Sequence, residues 1–127
     1  KVSGASILKV PLADPKGAAS HDIKAMLAAS SNPGVIYICN PNNPTGTCTA
    51  PSDIEYAVAN APKDTVILID EAYIHRCDAP RSINFVKEGK NVIVLRTFSK
   101  LYGMAGIRNV GSNVVASVCE TRRSKGA

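Results

Sequence analysis

The sequence predicts an α/β fold: a mostly parallel sheet with helices on both faces, three layers in an α/β/α arrangement. Two observations carry that expectation. Three short runs rich in β-branched residues, Val35 to Cys39, Val66 to Ile69 and Val92 to Leu95, are continuously apolar rather than alternating. Parallel strands covered on both faces need that pattern. Helical segments separate the runs, so the order is strand, helix, strand, helix, strand, and right-handed crossovers turn that order into a layered sheet.

The elements follow in chain order. Ile7 to Val10 reads as a further strand, and Ser20 to Ala29 as a helix whose first turn is capped by Ser20. After the first central run, Thr49 or Ala50 precedes Pro51, a residue suited to the first helical turn. Asp53 and Glu55 then place acids near the positive end of a helix running to Ala61. A shorter helix is expected from Arg81 to Glu88, closed by Gly89. No internal repeat is visible, and glycine and proline punctuate loops rather than form a linker.

Composition narrows the function classes. With 127 residues, 45% hydrophobic and 20% charged, the chain is one domain's worth of a globular protein. No stretch of about 18 apolar residues occurs, which argues against a membrane span. The net charge of +5 is spread along the chain, with Arg122, Arg123 and Lys125 its one cluster. Without a recognisable binding motif, that charge argues against a nucleic-acid partner. Cys39, Cys48, Cys77 and Cys119 show neither a CxxC pair nor metal-ligand spacing, so they read as reduced thiols in a cytoplasmic protein that binds no metal. The first residues lack a methionine and a signal-peptide core, so the chain looks cut from something longer.

Ligands of open α/β sheets bind beyond the carboxyl ends of the strands. The unusual polar clusters of this sequence fall there: Asn40 to Gly46 after the first run, Asp70 to Tyr73 after the second, Arg96 to Lys100 after the third. Lys100 is a lone amine in a mostly apolar stretch, where desolvation would favour a nucleophile; taken alone, it reads more readily as a solvated surface lysine. Asp70 ends a strand expected to be buried and needs a cationic or donor partner, either a protonated ligand nitrogen or an arginine such as Arg96. Thr97, Ser99 and Arg108 offer two hydroxyls and a guanidinium suited to a phosphate; taken singly, they read more readily as a capped helix start with a solvated arginine.

Read together, three segments are more specific than any one residue. Asn-Pro-Asn-Asn-Pro-Thr-Gly at 40 to 46, Asp-Glu-Ala-Tyr at 70 to 73 and Thr-Phe-Ser-Lys-Leu-Tyr-Gly-Met-Ala-Gly-Ile-Arg at 97 to 108 resemble, in order and spacing, the fold-type-I aminotransferases of classes I and II. The nearest likeness is to histidinol-phosphate aminotransferase and its relatives. The resemblance spans about residues 1 to 108, implying a partial cofactor-binding large domain followed by a divergent tail from 109 to 127.

The resemblance implies pyridoxal 5'-phosphate as cofactor, with Lys100 forming the Schiff base and shuttling the substrate proton. Asp70 would pair with the ring nitrogen, Asn43 and Tyr73 would hydrogen-bond the ring's 3-oxygen, and Thr97, Ser99 and Arg108 would grip the phosphate. The implied reaction passes an amino group from an L-amino acid, histidinol-phosphate-like or aromatic, to a 2-oxo acid such as 2-oxoglutarate. A homodimer is implied for the full-length form. His75 and Glu71 receive no catalytic role, and His21 reads as a surface residue at a helix start. Two further readings stand beside this one: an inactive fragment or pseudoenzyme retaining part of the site, and the same cofactor used for decarboxylation or β-elimination.

Overall fold

The structure, a computed structural model, describes residues 4–14 and 16–107. Arg108, Cys119 and the tail from 109 to 127 lie outside the described residues. Three parallel strands, β1 (Val35–Cys39), β2 (Val66–Asp70) and β3 (Val92–Leu95), form a sheet in the order β1-β2-β3. The α/β class read from the sequence is the class observed. Helix α1 (Ile23–Ala28) precedes β1, α2 (Pro51–Asn60) links β1 to β2, and α3 (Ile83–Lys87) links β2 to β3. Short 3-10 turns occupy Ile74–Arg76 and Ala105–Ile107.

Register explains where the core sits. Ile36 pairs with Ile67, which pairs with Val92, and Ile38 pairs with Ile69, which pairs with Val94. Paired residues of parallel strands share a face, so these six side chains form one buried surface. Ile23 of α1, Ile54 and Ala57 of α2, and Phe85 and Val86 of α3 pack against it. Because the strand order never reverses, right-handed crossovers must carry α2 and α3 over the same face.

The second helical layer expected from the sequence is therefore not among the described residues. The opposite face carries Val35, 57% exposed, and Tyr37, 48% exposed, although the sequence of β1 is apolar throughout. Among the described residues no helix is long and apolar enough to cross a membrane.

The helix boundaries follow local chemistry, with two corrections to the sequence reading. Helix α1 is capped by Asp22, not Ser20: its carboxylate accepts from the Ala25 amide at 2.9 Å. Aspartate caps as well as serine, and Ser20 instead forms an isolated bridge with Ala13. Asp22→Ala should cost about 1 kcal/mol, read as a lowered denaturant midpoint of the full chain. Residues 7–10 are not in a strand; Ile7 and Leu8 are exposed, and among the described residues no strand pairs with them. Helix α2 starts with Pro51 at its first turn, as expected, after Ala50. Helix α3 ends where Gly89, at φ +71°, turns left-handed and donates to the Val86 carbonyl at 3.0 Å.

Candidate functional site

All three strands point their carboxyl ends to one edge, and each leads into a structured loop. After β1, Asn40 is buried and its side-chain oxygen accepts from the Thr49 amide at 2.8 Å, closing the loop into a ring. Within it, Gly46 at φ +73° donates to the Asn42 carbonyl at 2.7 Å. A side chain at that φ would be strained, so glycine is what the turn requires. Asn43 sits exposed near the tip of this turn.

Asp70, the last residue of β2, is half-buried. One carboxylate oxygen accepts from the Tyr37 hydroxyl at 2.7 Å, the other from the Ala72 amide at 3.0 Å. Arg96 does not serve it. The Arg96 guanidinium instead donates twice to Glu71 Oε2, at 2.9 and 2.8 Å. Glu71 is 1% exposed, and its other oxygen accepts from the Ser82 amide at 2.6 Å. A buried carboxylate needs this full set of donors. The adjacent acids thus divide the work: Glu71 locks the β2 loop to the β3 loop, leaving Asp70 with remaining acceptor capacity at the sheet edge.

Tyr37 was not among the residues singled out from the sequence. It shares the open sheet face with Asp70, which lies two residues beyond its register partner Leu68. Partial burial first, then the hydrogen bond and charge of Asp70, then Cys39, push its phenol well above the ordinary 10.0. The sign follows from linkage: a raised phenol keeps its proton when folded, so its stabilising effect is complete below about pH 10 and is lost as pH rises further. Phenolate absorbance should show one late-ionising tyrosine, and Tyr37→Phe should remove it.

The third strand leads into Thr97, whose hydroxyl accepts from the Ser99 amide at 3.0 Å in a tight turn. That turn delivers Lys100 to the β2 loop, with its ammonium 5.4 Å from the centroid of the Tyr73 ring, within cation–π range. A cleft of about 350 Å³ opens between the two loops, lined by Tyr73, His75, Arg76, Ser99 and Lys100 among others. Sequence reasoning gave His75 no catalytic role and passed over Arg76; the 3-10 turn Ile74–Arg76 places both on the cleft. His75 also meets Tyr102 edge-on, with ring centroids 6.2 Å apart.

The structure therefore brings Tyr73, Ser99 and Lys100 to one cleft. It keeps Thr97 in the adjoining turn and Asp70 at the strand end two residues before Ala72, another lining residue. Asn43 does not line the cleft, and Arg108 lies outside the described residues. Lys100 is exposed, so the desolvation expected for it is not found. His21 is more than a surface residue: its ring lies 3.0 Å from the Cys39 carbonyl oxygen, tying the start of α1 to the end of β1.

The thiol reading is also corrected: Cys48 and Cys77 form a disulfide, and Cys39 is free. The pairing was invisible in a 29-residue separation because only the fold brings the two loops together.

The family model for aminotransferase class I and II matches residues 1–123. The chain belongs to that family. An aromatic amino acid aminotransferase of Mycobacteroides abscessus is 45% identical over 85% of this chain and 31% of its own length. A histidinol-phosphate aminotransferase of Brevibacillus brevis is 40% identical over 84% of this chain and 29% of its own. The crystal structure of histidinol-phosphate aminotransferase from Sinorhizobium meliloti, in complex with pyridoxal-5'-phosphate, superposes with a TM-score of 0.72 at 35% identity, covering 83% of this chain and 29% of that one. The chain thus spans about three-tenths of the length of these relatives.

Proposed function

We propose that this chain is the cofactor-anchoring segment of a pyridoxal-phosphate-dependent aminotransferase. The full protein would move an amino group between an L-amino acid, histidinol-phosphate-like or aromatic, and a 2-oxo acid such as 2-oxoglutarate. The observation that carries the reading is the Lys100 ammonium over the Tyr73 ring in a cleft that Ser99 also lines. The donor set fits the group: an amine, a carboxylate with free lone pairs, a phenol and two hydroxyls stand at one sheet edge. Bound there, the cofactor would supply an aldehyde and an electron-withdrawing ring.

The chain's own residues have separate tasks. Lys100 would supply the amine that holds the cofactor and would carry a proton on Nζ. Asp70 accepts from a protonated ring nitrogen, its carboxylate oriented by Tyr37 and the Ala72 amide. Tyr73 and Asn43 donate to the ring oxygen, and Thr97, Ser99 and Arg108 hold the phosphate. A homodimer of the full-length protein belongs to the same proposal, checked by its mass in solution.

Asp70→Ala removes a charge-assisted hydrogen bond and should weaken cofactor binding about tenfold to a hundredfold in an absorbance titration. Unchanged binding would count against the role. The exposure of Lys100 and Asn43 favours a second reading, a chain that keeps part of the site without turnover. Transamination catalysed by this chain alone would eliminate it.

A further inference from the structure

We propose that Cys48 and Cys77 form a redox-reversible clasp that holds the β1 loop against the β2 loop at the site edge. Cys48 lies two residues beyond the Gly46 turn that carries Asn43, and Cys77 directly follows the 3-10 turn that Tyr73 opens. Each loop is anchored at its base. Asn40 receives the Thr49 amide in the first, Glu71 receives the Ser82 amide in the second, and Asn40 N donates to the Asp70 carbonyl at 2.9 Å between them. The anchors leave the outer parts of the loops to be joined by the sulfurs, whose Cα atoms are 6.5 Å apart. Those outer parts carry Asn43 and Tyr73.

Accessibility makes the bond reversible. Cys48 is exposed and Cys77 half-buried, so a small thiol can reach the pair. Closure proceeds by exchange with a small-molecule disulfide such as glutathione disulfide. The Cys48 thiolate attacks one sulfur of that disulfide and expels one thiolate. Cys77 thiolate then displaces the second, forming the protein disulfide. Two small thiols leave with the two protons, and the small disulfide is the species reduced. A reduced small thiol runs the sequence backwards.

The clasp itself stands on the loop geometry; its effect on cofactor binding rests on the aminotransferase reading. Fixing the two loops removes the ordering cost of bringing Asn43 and Tyr73 to one ring. Opening them restores it.

The test compares the full chain equilibrated with glutathione disulfide and with excess dithiothreitol. Alkylation with peptide mapping should label Cys48 and Cys77 in the second state only. Amide exchange over residues 41–48 and 71–77 should be faster there, and pyridoxal phosphate should bind about threefold to tenfold more weakly, the cost of ordering the loops. The Cys48→Ser/Cys77→Ser double variant should match the reduced protein in exchange and ignore the reductant. Equal alkylation of both cysteines in the two states, or identical exchange in both segments, would overturn the clasp. Altered exchange without cofactor binding in either state would uphold the clasp and remove the aminotransferase reading instead.

Discussion

Lys100→Ala should abolish the absorbance band that pyridoxal phosphate develops on binding an amine of this protein. If the proposed function holds, turnover of the full-length protein should fall by about a thousandfold, the scale lost when a proton-transferring group is removed. The geometric basis is narrow. Lys100 is the amine that the Thr97–Ser99 turn brings over the Tyr73 ring, at 5.4 Å from its centroid. Other exposed lysines, such as Lys63 or Lys90, sit on loops leading into the strands rather than out of them. Lys100→Arg keeps the charge and the ring contact yet cannot form the covalent link, so it separates cation–π positioning from chemistry. A band persisting in both variants would transfer the role to another lysine.

The largest effect on stability is expected at Arg96. Removing it leaves the buried Glu71 carboxylate with the Ser82 amide as its remaining donor. An uncompensated buried charge is costly, and Arg96→Ala should destabilise the chain by about 3 kcal/mol, toward the low end for buried pairs because the arginine side chain is 31% exposed. Glu71→Gln keeps an acceptor for the amide and leaves the arginine free to find water, so its cost should be nearer 1 kcal/mol. Denaturant midpoints of the two variants should fall in that order. An Arg96→Ala protein within about 0.5 kcal/mol of the parent would class the pair as an ordinary surface contact. Because the pair ties the β2 loop to the β3 loop, its loss should also loosen Tyr73 from Lys100.

The central strands were legible because each is a compact β-branched run, and neighbouring runs pair in sequence order with no register slip. Helices α2 and α3 were legible through Pro51 and Gly89, which act locally. Reading failed where an outcome depended on a partner distant in sequence. Ile7 to Val10 has the composition of a strand but pairs with none of the strands among the described residues. Ser20 and Asp22 are both capable caps, and the bridge from Ala13 to Ser20 decided between them.

The candidate site divides along the same line. The segments after each strand end were visible because topology alone sends them to one edge. The partition of labour between Asp70 and Glu71 was not, since adjacent acids differ only in which way each side chain points from the strand end. Tyr37 escaped notice because its link to Asp70 depends on the β1–β2 register, and the same register sets Cys39 opposite Asp70. The Cys48–Cys77 bond escaped for the equivalent reason. The helical layer expected on the second face illustrates a different limit. Apolar strands announce that both faces want cover, but a strand order of β1-β2-β3 sends its own crossovers to one side.

The most direct test incubates the full chain with pyridoxal phosphate, reduces the adduct with borohydride and maps the pyridoxyl group by mass spectrometry after digestion. Label is expected on Lys100 above every other lysine, and should be lost when Asp70 is replaced by alanine at limiting cofactor. Label spread evenly over exposed lysines such as Lys63, Lys87 and Lys90, with Lys100 unremarkable among them, would contradict it.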